Sequence, residues 1–599
     1  MPSPVRIANA SGYWGDDPDA LARQLNGGPI DYVTLDFLSE ITMVILQRQR
    51  ARDPQLGYAH DFIGMLEPVL ESVAQRGVRI VANAGGVNVA ACAEKVVEAC
   101  GARGVDMGLG VVAGDDLLPR LDELLASGIE LAHLDDGRPL SVVREQVVAA
   151  NAYLGAWPIA LALGEGAQIV VTGRTTDAAL TLGPLVYEHG WAWDDFDRLA
   201  AGTVAGHVLE CGAQATGGNL TDWQSFAAGE VGYPIADVDA DGSFVVHKHP
   251  DSGGRVSRAT VTEQLLYEIG APYAYQTPDV TADFTSLEVV DLGRGRVRVR
   301  GARGTPPPET LKVTIVHRDG WRAVGAALLS GPKIRAKAER LTEMVWDRVG
   351  RDFADQRADL VGDRSCWGSA APDREPNEGI LRMAVRDHDR GRVERFAKVM
   401  MGLALQGPPG LGVFGGRPDV GPAFGYWPAS IPRDLVHPHV EVRRRGETVA
   451  HPIDAHWPAA PTAPPPSVAQ EAAPSRAPAG RRVRIPLRRI AYARSGDKGA
   501  HANIGVAARS VVAFEALREA LTAERVAGFF GELVAGPVER YEIRGLRAFN
   551  FFLHDALGGG GTVSLRTDHQ GKTLAQGLLG LEIEVAESVV KETPSNGEG

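Results

Sequence analysis

Short β-branched runs alternate with helical patterns over the first two hundred residues. Residues 78–82 (VRIVA) are followed by Asn83-Ala84-Gly85-Gly86 and a helical pattern over 89–100. Residues 168–172 (QIVVT) are followed by Gly173-Arg174-Thr175-Thr176-Asp177 and a helix over 178–189, and 31–36 (DYVTLD) by a helix over 40–50. Continuous apolar runs suit strands covered on both faces, and strand–loop–helix units imply parallel pairing. The predicted fold is therefore α/β, a mostly parallel sheet with helices on both faces. Beyond about residue 200 the period changes. Residues 289–300 and 311–324 suggest antiparallel strands turning at Gly and Asp-Gly, and 333–349 a charged, Ala-rich helix; together they predict a mixed second lobe.

A Pro/Ala-rich stretch at 457–481 has no apolar period, as expected of a semi-extended linker. It separates a unit spanning 1–456 from a small α+β unit at 482–588, with a frayed tail at 589–599. The small unit is predicted to hold a strand at 483–494, the loop Ser495-Gly496-Asp497-Lys498-Gly499, a strand at 503–508, one helix over 512–534 and strands near 541–552, 562–566 and 579–585.

Composition narrows the classes. A net charge of −13 argues against nucleic acid as the main partner. Four cysteines in 599 residues, with no C-x-x-C pair, suit a reducing compartment and offer no zinc knuckle. The N-terminus lacks the pattern of a secretory signal, and the apolar stretch 157–171 is broken by Gly164, Glu165 and Gly166, so no membrane span is expected. These features point to the cytoplasm, where base rates favour a homo-oligomer.

In parallel sheets, ligands sit beyond the carboxyl ends of the strands, so the loops there are candidates. Asn83, Gly85 and Gly86 could present amides to an anion, or form a tight turn. Gly173, Arg174, Thr175 and Asp177 offer a guanidinium for a carboxylate or phosphate, or an Arg–Asp pair that closes the loop. His207, Glu210 and Cys211 offer a base, an acid and a nucleophile close in sequence, although a lone cysteine is more often a buried apolar residue. Asp36 and Glu40 flank a helix start, as cation ligands or as complements to the helix dipole. In the small unit Ser495, Asp497, Lys498 and Asn503 are candidates for anion binding. The glycines at 558–561 mark either a close backbone approach or a loose loop.

Taken together, Ser11-Gly12 with Gly15-Asp16, the run from Asp36 to Met43, Asn83 to Gly86, Thr172 to Asp177 and Gly206 to Gly212 resemble the N-terminal domain of the acyclic terpene utilisation (AtuA-like) family. Arg494 to Gly499 with Asn503-Ile504-Gly505-Val506 resembles the ferredoxin-like domain often fused to it. The resemblance implies catabolism of branched or acyclic terpenoid acyl groups, with a coenzyme A thioester as substrate and no certain cofactor or metal. The resemblance supplies no catalytic residue; the residues themselves suggest hydration or carbon–carbon lyase chemistry, with His207 and Glu210 as acid/base candidates, Arg174 as a carboxylate clamp with Asp177 beside it, the amides of 83–86 as anion or oxyanion donors, and Lys498 closing over the ligand from the small unit. The alternative is a binding or scaffolding subunit for an acyl-CoA carboxylase or another pathway enzyme.

Overall fold

The computed structural model describes residues 3–227, 229–444, 447–452, 478 and 480–593. The predicted linker lies outside them except at its last positions. The first unit is built on β1 (Val5–Ser11), β2 (Tyr32–Leu35), β3 (Arg79–Ala82), β4 (Leu109–Ala113), β5 (Val147–Ala152), β6 (Ile169–Thr172), β7 (Ile235–Val238) and β8 (Phe244–His247). Strands β1, β2, β3, β6 and β4 lie side by side, all parallel. Their side chains alternate between two cores. Ile7, Tyr32, Val81 and Val170 face the helices Trp157–Gly164, Ala179–His189 and Phe196–Leu209. Ala8, Val33, Ile80 and Val171 face Val89–Ala102 and its neighbours.

The expectation of a mostly parallel sheet is not met. Among the described residues parallel strand pairing stops at these five strands, apart from an isolated bridge between Leu154 and Thr175, and the other strands pair antiparallel. On one side β7, β8, Arg296–Arg300 and Glu288–Gly293 add on antiparallel, and on the other His439–Arg444 and Glu447–Pro452 do the same. The reason is connectivity. A parallel neighbour needs a crossover helix, whereas these outer strands are joined largely by short turns. The alternating exposure of Arg296–Arg300 marks such a half-covered hairpin.

The second lobe also departs from its expected hairpin. Residues 310–330 form one long strand, Thr310–Ser330, which passes through Asp319-Gly320 with a register shift between Arg318 and Trp321. It pairs with Val420–Pro432 and then Glu378–Asp387, so a bulge stands where a turn was expected. The helix there is Ile334–Val349.

The small unit is an antiparallel sheet in the order Ala491–Lys498, His501–Ala508, Ala548–Leu553, Val538–Ile543, with helices over one face. Five local expectations are revised. The strand expected over 483–494 is two, Arg482–Pro486, which pairs with Glu582–Ala586, and Ala491–Lys498. The loop expected at 495–499 is instead the end of that second strand, with Ser495 to Lys498 paired to Ile504 to His501 and the turn at 499–500. The single helix is two, Val511–Ala520 and Ala523–Phe530, because the Thr522 hydroxyl accepts from Arg525 N and starts a new helix. The strand expected over 541–552 is two strands joined by a turn, Arg544–Leu546. Residues 562–566 are irregular, and Leu565 within them and Thr567 beside them meet the second lobe: Arg382 Nη1 donates to Leu565 O over 2.7 Å and Thr567 Oγ1 lies 3.2 Å from Asp359 Oδ2. No helix among the described residues is long and apolar enough to cross a membrane.

Candidate functional site

The strand ends bring a polar cluster together. Asp36 follows β2, and its Oδ1 accepts from Asn83 Nδ2 at 2.6 Å and from Leu38 N at 3.1 Å. Asn83 Oδ1 in turn accepts from Phe37 N at 2.7 Å. Arg174 follows β6. Its Nη1 donates to Asp177 Oδ1 at 2.8 Å and to Leu38 O at 3.0 Å, and the guanidinium lies 4.3 Å from the Tyr153 ring centre. Tyr153 OH donates to Glu40 Oε1 at 2.9 Å. Lys312 Nζ lies 3.4 Å from the same oxygen. Arg174 is 3% exposed in its side chain, whereas Asp177 and Glu40 each keep 33%, so solvent reaches the carboxyls of the cluster while the guanidinium is enclosed.

A helix crossing completes the cluster. A Cβ on Gly206 would lie 2.6 Å from Ala178 Cα, so only glycine lets the helix Phe196–Leu209 press on the residue after Asp177. A Cβ on Gly12 would come 2.8 Å from the Cys211 carbonyl carbon, which fixes the other side of the same turn. His207 Nδ1 lies 3.0 Å from Glu210 Oε1, and the imidazole is buried between Tyr275 and Phe284. Among the described residues, His207 Nε2, Glu210 Oε2, Gln264 Oε1 and Arg174 Nε are buried without a hydrogen-bond partner.

The small unit covers the cluster. Asn503 Nδ2 donates to Leu266 O at 2.7 Å and its Oδ1 accepts from Glu268 N at 2.9 Å. Asn550 Nδ2 donates to Gly270 O at 2.7 Å. Beside them Arg494 Nη2 lies 3.3 Å from Glu263 Oε2, both buried. A Cβ on Gly496 would sit 2.7 Å from Glu268 Cγ, so the end of the strand Ala491–Lys498 lies flush on the first unit. Lys498 Nζ then donates to Glu268 O at 2.8 Å, and Lys572 Nζ lies 2.6 Å from Glu268 Oε1 and 3.0 Å from Asp497 Oδ1.

Environment separates the carboxyls. Burial, reinforced by the Asp177 charge, pushes Asp36 well above the usual carboxylate range. Burial raises Asp177 to about 6, against the pull of Arg174 and with help from Glu210 and Glu40. Burial opposes ionisation of Glu40 too, but Lys312 and Arg174 outweigh it and hold Glu40 down at about 2. Burial raises the Cys211 thiol well above its usual value, and Glu210 adds to the shift, which makes it a poor nucleophile near neutrality.

The candidate residues therefore have distinct places. Arg174, Asp177, His207 and Glu210 converge, and Asp497 and Lys498 reach them from the small unit. Gly85 N donates to Thr172 O at 3.0 Å and Gly86 N to Asn83 O at 3.5 Å, so these amides close their own turn. Gly173 N donates to Val112 O at 3.2 Å and Thr175 Oγ1 to Leu154 O at 2.8 Å. Ser495 Oγ donates to Gly571 O at 2.6 Å. Sequence reasoning missed Tyr153, Lys312, Glu268, Tyr275 and Lys572. They come from distant segments without a local motif, and only the fold joins them. Among the described residues no group of three or more His, Cys, Asp or Glu could hold a metal ion.

Residues 5–442 match the acyclic terpene utilisation family protein AtuA. The chain belongs to this family. Residues 485–584 match the AtuA ferredoxin-like domain, which is the antiparallel unit that covers the cleft. No curated protein and no solved structure matches significantly. The region 5–442 holds Asp36, Arg174, Asp177 and Glu210, and the region 485–584 holds Asp497, Lys498 and Lys572.

Proposed function

We propose that the cleft is the active site of an enzyme of branched-chain or acyclic terpenoid catabolism, acting on an acyl-CoA or its carboxylated or hydroxylated derivative by hydration or carbon–carbon lyase chemistry. The observation that carries this reading is the convergence of the Arg174–Asp177 and His207–Glu210 pairs, in which Arg174 Nε, His207 Nε2 and Glu210 Oε2 are buried without a hydrogen-bond partner among the described residues, beside carboxyls whose environments push Asp36 and Asp177 up and hold Glu40 down. Such divergence separates acid from base in one site. Membership of a family named for acyclic terpene utilisation supports the substrate class.

In this reading Asp177 moves the proton at the reacting carbon, since a group near 6 exchanges protons readily at neutral pH. Asp36 Oδ1 accepts from Asn83 and Leu38, which leaves Oδ2 as the oxygen free to meet the substrate, and burial favours the neutral acid that could donate to a developing enolate oxygen. Arg174 is a positioning residue that holds Asp177, and His207 holds Glu210 in the same way. Oligomerisation and a cytoplasmic setting remain part of the proposal.

One observation favours the scaffold reading as well. Val413 (63% exposed), Phe414 (48%) and Leu328 (39%) lie together on the second lobe, and apolar patches can bind partners. The test is turnover. The full chain is incubated with a panel of branched acyl-CoAs and the products are followed by mass spectrometry. Consumption of one member, lost in Asp177→Asn, supports the enzyme. No consumption of any member, or an unaffected Asp177→Asn variant, overturns it in favour of the scaffold.

A further inference from the structure

Arginines gather where the second lobe meets the small unit. The strand register sets Arg322 directly opposite Arg386 and Arg382 opposite Asp359, with Arg357 two positions from Asp359 on the same face. Like charges placed directly across two strands repel. Carboxylates do not balance them. Arg386 Nη1 lies 2.6 Å from Asp319 Oδ2, and Arg357 Nε lies 2.7 Å and Arg382 Nη1 3.8 Å from one oxygen of Asp359. Asp355, opposite Arg386, and Asp568, which accepts from Lys572 N and Thr573 N, form no ion pair with these arginines. Arg322 forms no ion pair among the described residues, and its Nη1 donates to Thr562 O at 3.3 Å.

The same place has polar atoms to spare. Arg386 Nε and Thr562 Oγ1 are buried without a hydrogen-bond partner among the described residues. Arg382 and Arg386 each keep only 18% of their side chains exposed, so water screens their charges in part. Burial lowers the Arg322 guanidinium below its usual value, and Arg386 lowers it further. Burial lowers Arg382 too, where Arg322 and Arg357 oppose the pull of Asp359. The segment 560–562 joins the arginines to the cleft. A Cβ on Gly560 would lie 2.6 Å from Gly499 O, and one on Gly561 would lie 3.5 Å from Ile41 Cδ1, the neighbour of Glu40. Thr562, the next residue, meets Arg322.

We propose that Arg322, Arg382, Arg386 and Thr562 form a phosphate site that holds the coenzyme A end of the substrate while the acyl end occupies the cleft. The inference rests on the enzyme reading above and adds where the thioester carrier is held. A phosphate between Arg322 and Arg386 replaces their repulsion with charge-assisted bonds to two guanidinium forks, whose geometry fits its oxygens. Arg386 Nε and Thr562 Oγ1 then gain the partner they lack. The pantetheine arm separates the thioester from the phosphates of coenzyme A, as the segment 560–562 separates the cleft from the arginines. The second lobe supplies the guanidiniums and the small unit the hydroxyl, so the site is complete only where the two meet.

The test is calorimetric titration of the full chain with coenzyme A, 3′-dephospho-coenzyme A, pantetheine and inorganic phosphate. It is repeated on Arg322→Met and Thr562→Val, with melting as the check on folding. Thr562→Val removes a hydroxyl that makes no hydrogen bond among the described residues, so it decides the matter where Arg322→Met lowers melting. The expected result is that coenzyme A binds and pantetheine does not. Arg322→Met weakens coenzyme A by about tenfold or more, the scale of one hydrogen bond to a charged group, and Thr562→Val by about threefold. Weaker binding of 3′-dephospho-coenzyme A assigns the 3′-phosphate to the site, and equal binding assigns the diphosphate; both support it. Coenzyme A bound alike by all variants, or pantetheine bound as tightly as coenzyme A, overturns the site and leaves the enzyme reading intact. If coenzyme A does not bind but phosphate does, and Arg322→Met abolishes it, the phosphate site stands and the acyl-CoA reading falls. Binding of neither overturns the site.

Discussion

Two buried polar groups lie within the same seam between the units, and they are built differently. In the first, Arg494, Glu263, Asn503 and Asn550, the polar atoms are used: Arg494 meets Glu263 and Gly218 O, Glu263 also accepts from Thr221 N at 3.1 Å, and the two asparagines bond each other at 2.9 Å and the 266–270 backbone. In the second, around Asp36, Asp177 and Glu210, buried atoms of Arg174, His207, Glu210 and Gln264 lack partners among the described residues, and the surroundings push Asp36 and Asp177 up while holding Glu40 down. A satisfied network fixes geometry, whereas an unsatisfied one waits for a ligand. Residue types do not distinguish the two groups; the state of their lone pairs and protons does.

The contrast breaks most sharply in turnover. Asp177→Asn is expected to lower it by about 10²–10⁴-fold, the usual contribution of a proton-transfer group, while unfolding free energy changes by less than about 1 kcal/mol. Steady-state kinetics beside denaturant unfolding check both. A large loss of stability would place Asp177 with the satisfied network instead.

Arg494→Met is the converse. It strands Glu263, which is 0% exposed in its side chain, and a buried pair broken on one side loses about 3 kcal/mol at pH 8. Below about pH 6 the loss shrinks, because Glu263 can then be neutral. Denaturant midpoints at the two pH values measure this, and equal losses would contradict it.

Glu263→Gln sharpens the same point. Burial raises Glu263 to about 7, although Arg494 pulls the other way. Below the unfolded value near 4.5 both states hold the proton; between 4.5 and about 7 only the folded chain does; above 7 neither does. The wild-type chain should therefore lose on the order of 2–3 kcal/mol as pH rises from 4.5 to 7 from this group. The glutamine variant should show a flatter profile by that amount.

The smallest expected effect is that of Gly496→Ala. The added Cβ would lie 2.7 Å from Tyr267 Cε2 and from Glu268 Cγ, and relieving the clash costs about 1–3 kcal/mol. Because the strand end shifts, ligand affinity should fall beside stability, which titration and melting check together.

Much of this was legible in the chain. The runs 78–82 and 168–172 gave β3 and β6, and the loops after them hold Asn83, Arg174 and Asp177. Two kinds of information were not. Pairing direction beyond β1, β2, β3, β6 and β4 depends on which strands meet across long sequence separations, as when His439–Arg444 returns to pair with β4. The roles of the candidates depend on what surrounds them. Arg174 reads as a ligand clamp in sequence, but its burial beneath Tyr153 and its bond to Asp177 turn it inward. Lys312 carries no motif at all, and it reaches Glu40 only because the long strand Thr310–Ser330 pairs with β5.

The most direct measurement is hydrogen–deuterium exchange of the full chain with and without a saturating branched acyl-CoA. The account predicts that protection appears together at 36–40, 172–177, 207–212 and 495–499, segments from both units that meet only in the cleft. Protection confined to the surface cavity near Arg298, Arg300 and Arg303, or no change at the four segments with ligand present, would contradict it.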